Sequence, residues 1–140
     1  MKISNGTQQL LEDLLESMVQ ELELDKELIQ DCFPLKSPYR KQAHEALLTI
    51  ETRMKNRLKL DGSHVGIEII DDARNLGVFK RDVRSEEQGI ELLFRGSVLG
   101  IRNVLGHNKP LMSKEEAIKI ILFADYLIKL FEGQCKINKI

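Results

Sequence analysis

The chain of 140 residues is 42% hydrophobic, enough for a single domain around one core. Its 21 basic and 22 acidic residues leave a formal charge of −1, which excludes a broadly basic nucleic-acid coat and an acidic disordered tail. No apolar run approaches the roughly 20 residues a membrane-spanning helix needs, and Met1-Lys2-Ile3-Ser4-Asn5-Gly6 opens with no apolar leader.

In chain order, Leu10, Leu11, Leu14, Leu15, Met18, Val19 and Leu22 recur at helical spacing and predict a first amphipathic helix. A short second helix is expected near Asp25 to Cys32, stopping before Pro34. Ser37 reads as the cap of a third helix whose first residue is Pro38, where the missing N–H costs nothing. Its stripe is Ala43, Ala46, Leu47, Ile50, Met54 and Leu58, and Asp61-Gly62 is expected to end it. Gly66 to Asn75 reads as a shorter helix, although Val65, Ile67 and Ile69 also alternate as a strand would.

Ser85-Glu86-Glu87-Gln88 and Ser113-Lys114-Glu115-Glu116 both read as capping boxes. The first opens a helix carrying Ile90, Leu93, Phe94, Ser97, Ile101 and Leu105, with room to run to Gly106. The second opens a helix through Ala117, Ile121, Ala124, Ile128 and Phe131, stopped at Gly133. Period-two alternation is almost absent, so the fold class is all-α, a four-helix bundle with one or two short additional helices. Residues 1–34 are expected to form an N-terminal helical extension packed on the bundle or on a partner subunit, and residues 35–140 a single globular domain. Two cysteines, Cys32 and Cys135, suit a reducing cytoplasm better than a disulfide scaffold.

Chemistry concentrates in Ile101-Arg102-Asn103-Val104-Leu105-Gly106-His107. Asn103 and His107 are i, i+4 neighbours, and Arg102 sits about 100° round the helix from Asn103. Gly106 is expected to fray the last turn and let the imidazole swing towards the arginine. Histidine titrates near neutral pH and can move a proton, while arginine stays charged and grips two phosphate oxygens. Asn103 is suited to orienting either. Such a set fits phosphoryl chemistry on RNA, where the neighbouring 2′-hydroxyl attacks and no metal or cofactor is needed. One histidine serves poorly as both base and acid in one turnover; a two-fold dimer would bring two sets together. Gly96, Ser97 and Gly100 precede the set and permit close approach, either within the chain or at a dimer seam.

Leu92 to His107 resembles the signature helix of the HEPN superfamily, most closely its prophage- and defence-associated Ymh-like branch. The carrying features are Phe94, the Gly96-Ser97 pair, Ile101-Arg102-Asn103 and a histidine four residues after the asparagine. Tyr39-Arg40-Lys41-Gln42-Ala43 with Glu45-Ala46 and Glu51 looks like the branch's first bundle helix, and Glu116-Ala117 with Leu122 to Leu127 like its last. The resemblance covers about residues 38 to 132. Val104 stands where the branch usually has proline, which leaves the spacing intact. The resemblance implies a metal-independent, dimeric endoribonuclease in phage defence or a toxin system, with an antitoxin or other protein as partner. Arg102 and His107 would be catalytic and Asn103 supporting. Some HEPN domains are inactive binding modules, and fold membership alone does not decide between these.

Glu51 lies on the apolar stripe between Leu47 and Met54, where a carboxylate needs either water or a partner such as Arg102 or His107. Arg95, seven residues before Arg102, is expected to share its face in a small cationic stripe. Lys80, Arg81 and Arg84 form a basic run, either a solvated turn or a grip on RNA phosphates. His44 and His64 sit in polar surroundings without metal-ligand spacing and are assigned to the surface. Asp71-Asp72 has no companion pattern for calcium or a metal pair. Three readings follow: a ribonuclease, a catalytically inactive RNA- or protein-binding module, and a dimeric helical scaffold in which Arg102 and His107 only pair or cap.

Overall fold

A computed structural model describes residues 4–140; Met1 to Ile3, and with them the start of the expected leaderless N-terminus, lie outside the described residues. The described residues form α1 (Asn5–Gln20), α2 (Lys26–Cys32), α3 (Arg40–Leu58), α4 (Ile67–Asn75), α5 (Arg84–Gly96), a π-helical segment (Ser97–Arg102), α6 (Asn103–Asn108) and α7 (Lys114–Ile137). No strand occurs among them, so the all-α bundle with short extra helices is the observed architecture. No helix among the described residues is long and apolar enough to cross a membrane.

The longest two helices, α3 and α7, form the central pair. Ala43, Ala46, Leu47, Ile50 and Met54 supply the buried stripe of α3, and Ile118, Ile121, Leu127, Ile128 and Phe131 that of α7. α3 starts two residues later than expected, at Arg40, and ends at Leu58 because Lys59 turns left-handed at φ 53°, before Asp61-Gly62 is reached. Residues 67–75 are helical, which buries Ile69, Ile70 and Ala73 on one side; Gly66, at φ 57°, makes the turn into this helix.

Of the two expected capping boxes, one forms its serine half. Ser113 accepts from the Glu116 N–H at 3.1 Å and opens α7. Ser85 caps nothing, since α5 already begins at Arg84; the Glu87 carboxylate instead accepts from the Arg81 N–H at 3.0 Å. Nor does Gly133 stop α7, which continues to Ile137. A mid-helix glycine costs only about 1 kcal/mol relative to alanine, and the turn beyond it is held. Gln134, fully buried, donates to the Val78 carbonyl at 3.0 Å and accepts from Arg81 Nε at 2.8 Å.

The N-terminal helices pack on the bundle. Leu24, Leu28, Cys32 and Leu35 belong to the core cluster, so α2 is part of the bundle. Arg53 of α3 bolts it down, donating to Asp25 at 2.8 Å and Glu27 at 2.9 Å and reaching Glu132 of α7 at 3.1 Å. The α1 helix packs on the bundle, as expected, but leaves its leucine stripe uncovered within the chain. Its buried residues are Glu16 and Val19, with Leu15 packed beside them, whereas Leu10, Leu11, Leu14, Met18 and Leu22 are exposed. A polar clamp sets this rotation: Lys114 Nζ lies 2.9 Å from Asp13 and 3.1 Å from Glu16, and Glu16 also accepts from the Leu35 N–H at 3.4 Å.

Candidate functional site

Between α5 and α6 the backbone widens into the π-helical turn Ser97–Arg102. Such i→i+5 turns are rare and concentrate at functional positions. Here the Ser97 hydroxyl, buried, donates to the Phe94 carbonyl at 2.7 Å. The extra residue per turn breaks the seven-residue spacing that was expected to align Arg95 with Arg102. Arg95 turns to the acids of α4 and α5, 2.8 Å from Asp71 and 3.1 Å from Glu91. It is therefore neutralised by two carboxylates, which corrects its expected place in a cationic RNA-facing stripe.

Arg102 points instead at α3. Its Nη2 donates to Glu51 Oε2 at 3.2 Å, its Nε lies 3.2 Å from Glu51 Oε1, and its Nη1 donates to Asn103 Oδ1 at 3.0 Å. The Nε–Oε1 approach falls short of hydrogen-bond geometry, so both atoms are buried without a hydrogen-bond partner. Glu51 is only 6% exposed, whereas the Arg102 side chain keeps 21% of its surface. Burial pushes the Glu51 carboxyl above its ordinary range, and the guanidinium partly offsets that by favouring the anion. Of the five guanidinium N–H groups, two are engaged, leaving one on each terminal nitrogen for an incoming anion.

His107 lies on α6, one turn after Asn103 and exposed. The helix continues through Gly106 to Asn108, so the expected fraying at Gly106 does not occur; the chain leaves only at Lys109, with φ 47°. Gly106 serves a different purpose. A Cβ there would lie 3.2 Å from His44 Nε2, so its absence gives the His44 ring room against α6. His44 is thus half-buried at the seam and not the surface residue expected from sequence. Desolvation first, then the Arg102 charge, hold its pKa below the ordinary histidine value, so the ring is neutral at pH 7. Sequence reasoning missed His44; the available signal was its i, i+7 relation to Glu51, which puts both on one face of α3.

The remaining expected residues fall elsewhere. Lys80 and Arg81 line an open cavity of about 610 Å³ that Asp82, Glu86 and Glu87 also line, a wall of mixed charge. Arg84 is the exposed first residue of α5. His64 lies at the surface, its side chain 34% exposed, 2.5 Å from Asp72 through Nδ1 and 3.9 Å from Glu68 through Nε2. No group of three or more His, Cys, Asp or Glu among the described residues could hold a metal ion. Gly96 and Gly100 have no atom within 4 Å of a built Cβ, so these small residues are not used for packing within the chain. Leu92, Leu99 and Val104 are exposed on the same run of helix.

The seam thus gathers a buried carboxylate, a half-satisfied guanidinium, an amide and a neutral imidazole, while the second imidazole, His107, is exposed one turn after Asn103 and makes no hydrogen bond to them. No curated protein and no solved structure matches the chain. Residues 22–131 match the sequence model of a family described as a protein of unknown function, Hypoth_ymh, and the chain belongs to that family.

Proposed function

We propose that this protein is a metal-independent endoribonuclease of the HEPN type, a cytoplasmic homodimer acting in phage defence or a toxin system. The defence setting and an antitoxin partner rest on the resemblance of Leu92 to His107 to the HEPN signature helix. The observation that carries the chemistry is the Arg102 guanidinium held by buried Glu51 with N–H groups to spare, with His44 close to it on α3 and His107 on α6, the helix that starts one residue after Arg102. In this reading the RNA 2′-hydroxyl attacks the adjacent phosphorus and the bond to the 5′-oxygen breaks. Neutral His44 takes the hydroxyl proton, and His107 supplies one to the leaving oxygen. Arg102 stabilises the charge on the non-bridging oxygens, and Asn103 and Glu51 position it. The exposed Leu92, Leu99 and Val104 beside Gly96 and Gly100 supply the two-fold seam.

One observation favours a second reading. Arg102 already has a carboxylate partner, as in a catalytically silent module that binds RNA or protein, or in a scaffold where the pair is structural. Incubating the purified chain with cellular RNA in EDTA separates these. The ribonuclease yields 2′,3′-cyclic phosphate ends with free 5′-hydroxyls, spares DNA, and loses roughly 10²–10⁴-fold of its rate in His107→Ala. Arg102→Lys restores only part of what Arg102→Ala removes, because the bidentate fork is gone. Absence of cleavage by the unaltered chain establishes the silent module in its place.

A further inference from the structure

The Arg102 seam extends past the residues assigned to it above. Four arginines are half-buried: Arg40, Arg53, Arg95 and Arg102. Three of them are matched to carboxylates within the chain, Arg53 to Asp25, Arg95 to Asp71 and Arg102 to Glu51. Arg40 has no such partner among the described residues, and no side-chain hydrogen bond or aromatic face takes its guanidinium. A partly desolvated cation without a counter-charge is left short of the solvation it gave up, and an anion from outside restores it.

Its position says which anion. Arg40, His44 and Glu51 fall within about 40° of one another round α3, on the face turned to the seam. Two contacts show how α3 passes the Ser97–Asn108 segment: Glu51 meets Arg102, and His44 meets the open face of Gly106. The two segments are therefore antiparallel. Going back along α3 from Glu51 through His44 to Arg40 follows the seam from Arg102 past Gly106 towards the end of α6, where His107 stands. Arg40 lies one turn, about 6 Å, beyond His44, and its charge adds to that of Arg102 in lowering the His44 pKa. Glu45, the acid that His44 also feels, lines a separate cavity with Asp31 and Lys41. The row is then Arg102, the imidazoles, Arg40, with the proton-transfer groups between two cations. A nucleic-acid strand carries one negative charge per nucleotide, so a scissile phosphate on Arg102 brings a neighbouring one to Arg40. We propose that Arg40 is a second phosphate site, a binding residue that holds the phosphodiester next to the scissile one in an RNA strand. The proposal takes its ligand from the ribonuclease reading above but does not require that cleavage occur.

The test uses the full chain and a fluorescent RNA of about 12 nucleotides bearing 2′-O-methyl groups, which presents the phosphates but cannot be cut. Affinity is read by anisotropy across a salt series. Arg40→Gln is expected to weaken binding about fivefold and to lower the slope of log affinity against log salt by about 0.7, the share of one phosphate on a single strand. Arg40→Lys, which keeps the charge, is expected to keep the slope. Since Arg40 holds nothing within the chain, neither variant is expected to disturb the fold, as circular dichroism checks. Lys119→Gln removes a surface charge of α7 and is expected to change neither affinity nor slope. A slope unchanged in Arg40→Gln, an equal loss in Lys119→Gln, or no binding by the unaltered chain overturns the proposal. An Arg40→Gln loss seen with inorganic phosphate but not with the strand makes the ligand a free anion and likewise overturns it. Cleavage in EDTA is read separately, and where it occurs Arg40→Gln is expected to raise KM and leave kcat within about twofold. A chain that binds in this Arg40-dependent way but never cuts removes the ribonuclease reading and leaves the phosphate site standing. A chain that cuts with KM unchanged in Arg40→Gln does the reverse.

Discussion

Replacing Arg102 with alanine strips the cation from Glu51 and leaves a carboxylate that is 6% exposed with nothing opposite it. Breaking a buried pair by removing one partner costs about 3–5 kcal/mol when the orphaned charge has no escape. Glu51 has one, which is to take up a proton. From an ordinary carboxyl pKa of 4.5, neutralising it at pH 7 costs about 2.5 × 1.36, or roughly 3.4 kcal/mol, and at pH 5 only about 0.7 kcal/mol. These figures cap the electrostatic loss at each pH. The sign follows from the direction of the shift: a carboxyl raised by burial contributes stability at low pH that is lost as pH climbs through its folded value. In the intact protein Arg102 opposes that loss most strongly; in Arg102→Ala only the weaker pull of Lys55 remains. The destabilisation should therefore grow by as much as about 2.7 kcal/mol between pH 5 and pH 7. For a chain of this size that is a melting-point gap wider by on the order of 10 °C. Urea unfolding followed by circular dichroism at both pH values measures it, and adding Glu51→Gln to Arg102→Ala should remove the pH dependence. An Arg102→Ala penalty identical at pH 5 and pH 7, or larger at pH 5, refutes the reasoning.

His64 is held above its ordinary pKa first by the hydrogen bond to Asp72, so His64→Gln should cost stability below about pH 6.5 and progressively less as pH rises through the folded pKa, read by denaturant titration at pH 6 and pH 9. Burial pushes the Cys32 thiol up to about 12, and a disulfide-exchange reagent at pH 8 should label it only after unfolding, as absorbance would show. Gly100→Leu meets open space within the chain, so it should leave the melting temperature nearly unchanged while weakening self-association in sedimentation velocity. Gly106→Ala should preserve the fold but crowd His44, visible as a shift in that imidazole's resonance and titration.

The all-α class, most helix positions and the Ser113 cap were legible in the sequence, because 3.6-residue periodicity and local capping are encoded within a few neighbouring residues. The Arg102–Asn103 hydrogen bond is local in the same way. What tertiary structure decided lies where a local rule competes with a distant partner. Gly133 does not end α7, since Val78 and Arg81 hold the turn beyond it. The π-helical turn separates Arg95 from Arg102 and delivers one to Asp71 and the other to Glu51, and nothing in residue spacing announces that extra residue per turn. His44 joins the seam only because α3 and α6 pack with Gly106 between them. Periodicity gave α1 an apolar face but not its direction. Lys114, about 100 residues away in the chain, fixes that by drawing in Asp13 and Glu16 and turning the leucines outward, since a desolvated ammonium needs its carboxylates more than four leucines and a methionine need cover.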